Sequence, residues 1–206
     1  MTQQAESLIF AIWRLGCTAP VLYISAMVLH FAYGSNMSRP HMRVRCPDAR
    51  AIGTVTLADW RFVICPDGFA SLARRPGSRV HGVLWQLSAR DVAAINAYEN
   101  VAGGLYLRRR LPVRSGQQAV PHEWEQVLRR RGDASKKSNS ALAASALVYI
   151  ACRQGTGVPR PDYIDLVVQA ARDWRLPPAY IRSIARWAPG RWRGARAKET
   201  GEVRRT

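Results

Sequence analysis

Two stretches of the chain hold residues of the right type to grip an anion and to move a proton. The first is Tyr33-Gly34-Ser35-Asn36. Gly, Ser and Asn favour turns and tolerate left-handed backbone, and consecutive backbone N–H groups in a Gly-containing turn form an anion-binding concavity. With no side chain at Gly34, a ligand can come close to the main chain. The second is a single carboxylate, Glu99, set among Tyr98, Val101 and Tyr106. At the negative end of a helix and beside such neighbours, the charged form of a carboxylate is disfavoured and its pKa moves up, toward the range useful for an acid/base. Taken singly, each feature has an ordinary reading, an irregular turn and a solvated helix end. Their joint occurrence and order single them out.

Other chemistries leave no comparable trace. Cys17, Cys46, Cys65 and Cys152 are widely scattered, with no C-x-x-C pair and no His at metal-ligand spacing, and are expected to be reduced, packed thiols. His30, His41, His81 and His122 fall in different segments with no shared spacing, so packed or solvated histidines are expected instead of ligands. No metal and no cofactor is expected.

The elements that must position the loop and Glu99 can be read from the hydrophobic pattern. Residues 28–33 are a short β-rich run that ends at the Gly34-Ser35-Asn36 turn. Residues 40–48 suggest a brief helix or turn, and 54–65 a second strand, through Val55, Leu57, Trp60, Phe62 and Ile64, broken by Pro66-Asp67-Gly68. Residues 79–87 make the best central strand. Ser88-Ala89-Arg90-Asp91 has the form of an N-cap with an acid three residues on, and Val92 and Ile95 follow at helical spacing, which predicts a helix from Ser88 to about Tyr98 with Glu99 at its C-terminal end. Two further strands are expected at 105–113 and 142–151. Pro159 and Pro161 introduce a helix whose apolar face is Tyr163, Leu166, Val167, Ala170 and Trp174, and Pro177-Pro178 starts another through Ile181, Ile184 and Trp187.

At 206 residues and 48% hydrophobic composition, the chain is expected to bury one core. Its formal charge of +17 is extreme, but the basic residues crowd into Arg108-Arg109-Arg110, Arg129-Arg130-Arg131, Lys136-Lys137 and the tail, while 80–106 is nearly neutral. The expected organisation is residues 1–26 as a loose N-terminal extension or a mis-assigned start upstream of Met27, then a domain over 27–190 with a basic insertion at 114–141, then a basic disordered tail at 191–206. Within the insertion, 122–131 suggests a short solvated helix and 132–140 a mobile stretch. The uncharged run 15–29 contains Pro20 and falls short of the ~20 residues a spanning helix needs. With no membrane span, no clean secretory signal and no disulfide framework, the expected location is the cytoplasm.

The loop after a first strand, followed by Glu99 in Tyr98-Glu99-Asn100-Val101-Ala102-Gly103-Gly104-Leu105-Tyr106, resembles the γ-glutamyl cyclotransferase (AIG2-like) family. The resemblance runs over 28–113, resumes at Ala146-Leu147-Val148-Tyr149 and continues through Pro159-Arg160-Pro161-Asp162-Tyr163. It implies an α+β fold, a small mixed β-barrel flanked by helices, and an enzyme that releases 5-oxoproline from a γ-glutamyl compound without a cofactor. It implies Glu99 as the general acid/base and Tyr33, Gly34, Ser35 and Asn36 as the substrate loop. It further implies that Tyr106 and Tyr149 line the site and hydrogen-bond the substrate or Glu99. Asn100 stands where many members carry Gly, and Asn36 stands where the glutathione-specific branch typically has Leu.

The expected partner is a small γ-glutamyl molecule, with a homodimer left open. A γ-glutamylamine is the alternative to a γ-glutamyl amino acid, since the leaving group lies outside the motif. A nucleic-acid-binding protein on the same scaffold is the alternative from another class, motivated by charge alone. No recognition-helix pattern, zinc knuckle or aromatic RNA-binding strand accompanies that charge.

Overall fold

The computed structural model of the protein describes residues 27–115 and 143–188. The N-terminal extension, nearly all of the basic insertion with its 122–131 segment, and the tail lie outside the described residues.

Five strands close into a barrel. Strand β1 (Val28–Ala32) buries Leu29, Phe31 and Ala32. It runs antiparallel to the end of β3 (Ala70–Leu87), from Val28 opposite Leu87 to Ala32 opposite Val83. Strand β3 forms a long hairpin with β2 (Arg50–Ile64), and β2 meets β4 (Tyr106–Ser115) through the Val55–Ser115 and Thr56–Arg114 pairs. Strand β4 pairs antiparallel with β5 (Ala143–Ala151), and β5 closes the ring by lying parallel to β1, His30 opposite Leu147. That single parallel seam makes the barrel mixed.

Two register shifts in the β2–β3 hairpin, between Ala51 and Gly53 and between Ala58 and Trp60, give these strands the bend that closure needs. At the second, Asp59 adopts φ 64° and its Oδ1 accepts the Gly77 N–H at 3.0 Å. Strand β3 begins well before the expected residue 79. Arg74, Arg75, Pro76 and Gly77 are exposed and offer no apolar signal; Arg74 pairs with Trp60 and Arg79 with Ala58, so 75–78 bulge opposite Asp59 and the paired stretch resumes from Arg74 back to Ala70. At Gly82 a Cβ would stand 2.3 Å from the Ala32 carbonyl oxygen and 2.7 Å from the Phe31 ring, so glycine is what lets β1 and β3 come together there.

Among the described residues four helices flank the barrel: α1 (Arg39–Arg45), α2 (Ala89–Tyr98), α3 (Tyr163–Asp173) and α4 (Pro178–Ala185). The start of α2 is a reciprocal cap. Ser88 Oγ accepts the Asp91 N–H at 3.1 Å, and the Asp91 carboxylate accepts the Ser88 N–H at 3.0 Å. The buried face of α3 is Ile164, Val167, Val168, Ala170 and Ala171, which corrects the expected stripe. Val167 and Ala170 were on it, whereas Tyr163, Leu166 and Trp174 are only half-buried, because the helix is covered on a wider side than one row. Trp174 instead donates its indole N–H to the Met37 carbonyl at 2.7 Å, which docks α3 against the chain that follows β1. Cys46 and Cys65 are buried thiols as expected, but Cys152, just past the end of β5, is exposed. Among the described residues no helix is long and apolar enough to cross a membrane.

Candidate active site

The end of the barrel where β1 runs out holds a cavity of about 210 Å³. Tyr33, Gly34, Ser35, Asn36, Glu99, Tyr106 and Tyr149 all line it, so every site residue expected from sequence is brought to one place. His30, Phe69, Ala70, Tyr98, Leu105 and Tyr163 complete the wall.

The loop is held open by a tight turn. A 3-10 segment, Ser35–Met37, forms when the Met37 N–H bonds to the Gly34 carbonyl and the Ser38 N–H to that of Ser35, each at 3.0 Å. Gly34 has φ −116°, within reach of any residue, so its glycine is not there for a left-handed backbone. Close approach is the reason: a Cβ would lie 3.0 Å from both the Ala70 Cβ and the Tyr163 hydroxyl.

Glu99 is the C-cap that follows α2, its N–H still bonded to the Ile95 carbonyl at 2.8 Å. The chain then reverses through Asn100, which takes φ 47° and accepts the Gly103 N–H on its own side chain at 3.1 Å. Asn is among the few non-glycine residues that tolerate this conformation, so the turn survives without glycine. Glu99 is half-buried and Oε1 accepts the Asn36 side-chain N–H at 2.7 Å. Arg45 of α1 donates to the other end of the same amide, Asn36 Oδ1. Ser35 and Tyr98 share a hydroxyl contact at 3.3 Å.

Burial pushes the Glu99 carboxyl from 4.5 up to about 7, against the opposing pull of the Asn36 hydrogen bond and the Arg45 charge. The direction is the one expected at a helix end, but the dominant cause is removal from water. Burial likewise raises the phenols of Tyr33, Tyr106, Tyr149 and Tyr163 above their ordinary value, with the Glu99 charge adding to each, so all four are neutral hydrogen-bond donors.

Three of those donors are already engaged. Tyr33 donates to the Tyr149 carbonyl, Tyr106 to the Ala70 carbonyl at 2.7 Å, and Tyr149 to Asn96 Oδ1 at 2.8 Å. Tyr106 and Tyr149 therefore line the cavity, with their hydroxyl protons directed to Ala70 and Asn96 and not to Glu99. Tyr163 differs. Its oxygen faces the main-chain amides of Ala70, whose N–H it accepts at 3.2 Å, and of Ser35, and among the described residues no acceptor takes its proton. Sequence reasoning placed Tyr163 on the apolar face of a helix and missed it as a site residue. The available signal was a hydroxyl-bearing residue at the first position of that helix, directly after Pro159-Arg160-Pro161-Asp162.

His30 was also read as no more than packed. It is buried, and its Nδ1–H faces the Leu147 carbonyl at 3.1 Å. Because a carbonyl only accepts, Nδ1 carries the proton and Nε2 does not. Burial lowers its pKa to about 4, so the imidazole is neutral.

The cavity thus combines one carboxyl poised near neutrality, a phenol whose proton no described residue takes, and the Gly34-Ser35-Asn36 turn. The γ-glutamyl cyclotransferase, AIG2-like family model matches residues 30–166. The chain belongs to this family. The matched span includes the loop, Glu99, Tyr149 and Tyr163. Relatives of this cyclotransferase-family chain include the γ-glutamylcyclotransferases of Mus musculus and Homo sapiens. Each is 20% identical over 185 residues, covering 85% of this chain and 86% of the relative. A solved γ-glutamyl cyclotransferase superposes with a TM-score of 0.62 at 20% identity over 77% of this chain and 86% of its own. A yeast γ-glutamyl cyclotransferase described as specific to glutathione superposes at 0.52 with 12% identity, over 80% and 96%. This chain shares the γ-glutamyl cyclotransferase fold of these two solved structures.

Proposed function

We propose that the protein cyclises a γ-glutamyl compound, releasing 5-oxoproline and a free amine or amino acid, with Glu99 as the proton carrier. The observation that carries this reading is the meeting of Glu99 with the Tyr33–Asn36 loop across one cavity, joined by the 2.7 Å Asn36–Glu99 hydrogen bond.

The substrate supplies its own nucleophile, so much of the advantage of intramolecularity is built into it. Glu99, ionised, takes a proton from the substrate α-ammonium. The freed amine attacks the δ-carbonyl carbon, a C–N bond forms within a five-membered ring, and the carbonyl oxygen becomes an oxyanion. The Tyr33–Asn36 loop and the Tyr163 hydroxyl, which line the same cavity as Glu99, are assigned in this reading to receive that oxyanion or the α-carboxylate. Protonated Glu99 then gives its proton to the departing nitrogen as the original C–N amide bond breaks and the oxyanion returns to a carbonyl; ionised again, Glu99 takes the second proton from the ring nitrogen and passes it to the released amine, which leaves as an ammonium. A carboxyl near 7 can serve in both directions, which one held at 4 could not do as well.

The leading substrate class is a γ-glutamyl amino acid. Incubation of the full chain with γ-glutamyl dipeptides and γ-glutamylamines, with 5-oxoproline as the readout, tests both the reaction and the class. The expected result is 5-oxoproline from the dipeptides, lost by ~10²-fold or more in Glu99→Gln. Full activity in Glu99→Gln would remove Glu99 from the role.

A further inference from the structure

Asn36 stands between a guanidinium and a carboxyl group. Its amide has an accepting end and a donating end, and a half-turn about the last side-chain bond exchanges them with almost no change of shape. Arginine has only donors, so the end that meets Arg45 is the carbonyl. The NH₂ is thereby turned to Glu99 Oε1. Arg45 also lies over the Tyr98 ring, 3.2 Å from its centroid, and Tyr98 is the last residue of α2, directly before Glu99. One guanidinium therefore grips the side chain that bonds the carboxyl and the residue that precedes it.

We propose that Arg45 is a positioning residue for Glu99: through the Asn36 amide and the Tyr98 ring it ties Oε1 to the protein and leaves Oε2 to carry the proton. This rests on Glu99 being the proton carrier. Among the described residues Oε1 is the engaged oxygen, and no bond holds Oε2. The other titratable groups facing Glu99 are the phenols of Tyr33 at the end of β1, Tyr106 of β4, Tyr149 of β5 and Tyr163 of α3, all held neutral by burial. His30 in the same cavity wall is neutral as well. Arg45 is the cation that acts on Glu99 and opposes the effect of burial.

Replacing Arg45 frees the amide to rotate and removes that cation. In Arg45→Met the acid limb of the kcat/KM profile for a γ-glutamyl dipeptide should move up by about one pH unit. Activity at pH 7 then falls several-fold and is largely recovered near pH 9. Arg45→Lys, which keeps charge and a donor, should recover at least half of the displacement. A loss of the same factor at every pH, or a Lys variant no better than Met, would overturn the proposal. Titration of the Glu99 carboxyl carbon by NMR in the full chain, assigned with Glu99→Gln, reads the same displacement without turnover. If the wild type makes no 5-oxoproline, the proposed function fails while this titration still decides the Arg45–Glu99 link. An unchanged Glu99 titration refutes it. Should Arg45→Met fail to fold, Arg45→Lys and Arg45→Gln are compared by the same titration, with the displacement expected to be larger for Gln.

Discussion

Glu99→Gln removes a charge that the fold holds at a disadvantage, and the consequence for stability can be worked through. Gln keeps the shape of the side chain and a carbonyl oxygen able to accept the Asn36 N–H now bonded at 2.7 Å. In the wild type the folded carboxyl is raised from 4.5 to about 7, so between those values the folded state holds a proton that the unfolded state has lost. The stability from this group is therefore fully present below about 4.5 and is lost as pH rises through 7. At ~1.4 kcal/mol for each tenfold change, the displacement corresponds to about 3 kcal/mol at alkaline pH, an upper bound for a half-buried side chain. Urea denaturation of both full-length proteins from pH 4.5 to 8.5 checks this. The difference between them should shift progressively in favour of the Gln variant, by about 1–3 kcal/mol over that range. The titration of His30 is common to both proteins and drops out of the difference. A difference independent of pH, or one that moves against the Gln variant at high pH, would refute the burial of Glu99 as its controlling influence.

Other substitutions probe the parts around it. Tyr163→Phe removes the phenolic proton that no protein group takes and the acceptor of the Ala70 N–H. Its kcat/KM should fall by ~10²-fold while stability falls by about 1 kcal/mol, measured by 5-oxoproline release and by denaturation. Gly34→Ala brings a methyl to 3.0 Å from Ala70 and Tyr163, so the loop must shift by a few tenths of an ångström. It should fold and lose at least tenfold in activity. Gly82→Ala meets a main-chain oxygen at 2.3 Å that cannot yield, so it should lose ~3 kcal/mol or more or fail to accumulate. For His30, ¹⁵N NMR should show a neutral ring protonated at Nδ1 down to about pH 4. Stability tied to this ring is present above the unfolded pKa of 6.5 and declines as pH falls toward 4. Titration of the ring near 6.5 would contradict its burial.

Much of this site could be read before any coordinates because local rules coincide with it. The Ser88 and Asp91 spacing marks the start of α2, ten residues of helix follow, and Glu99 falls at the end by counting. The β1 run stops at a Gly-Ser-Asn turn for reasons local to those residues. What could not be read depends on contacts distant in sequence. Residues 70–74 belong to β3 because they pair with β2, from Ala70 opposite Ile64 to Arg74 opposite Trp60, although the unpaired, largely exposed 75–78 stretch hides that continuity in the sequence. Tyr163 belongs to the cavity because Trp174 docks α3 against Met37, which orients the first turn of that helix toward the loop. Arg45 reads as one of many surface arginines until α1 is seen to set it against Asn36 and Tyr98.

The poise of Glu99 near neutrality is a balance struck by residues of very different kinds. Burial at the mouth of the barrel alone would carry the carboxyl further up and leave it a permanent acid, unable to take a proton from an ammonium. The Asn36 donor and the Arg45 charge pull it back. The surrounding phenols supply hydrogen-bond donors without adding charge, so they enclose the site without disturbing that balance through titrations of their own. Arg45 has to act at one remove. A guanidinium bonded directly to Glu99 would form an ion pair and hold the carboxyl ionised, which favours taking the proton and opposes giving it back. With an amide interposed, the cation steadies the carboxyl while leaving both protonation states within reach, as the proposed passage of protons in and out of the same group requires.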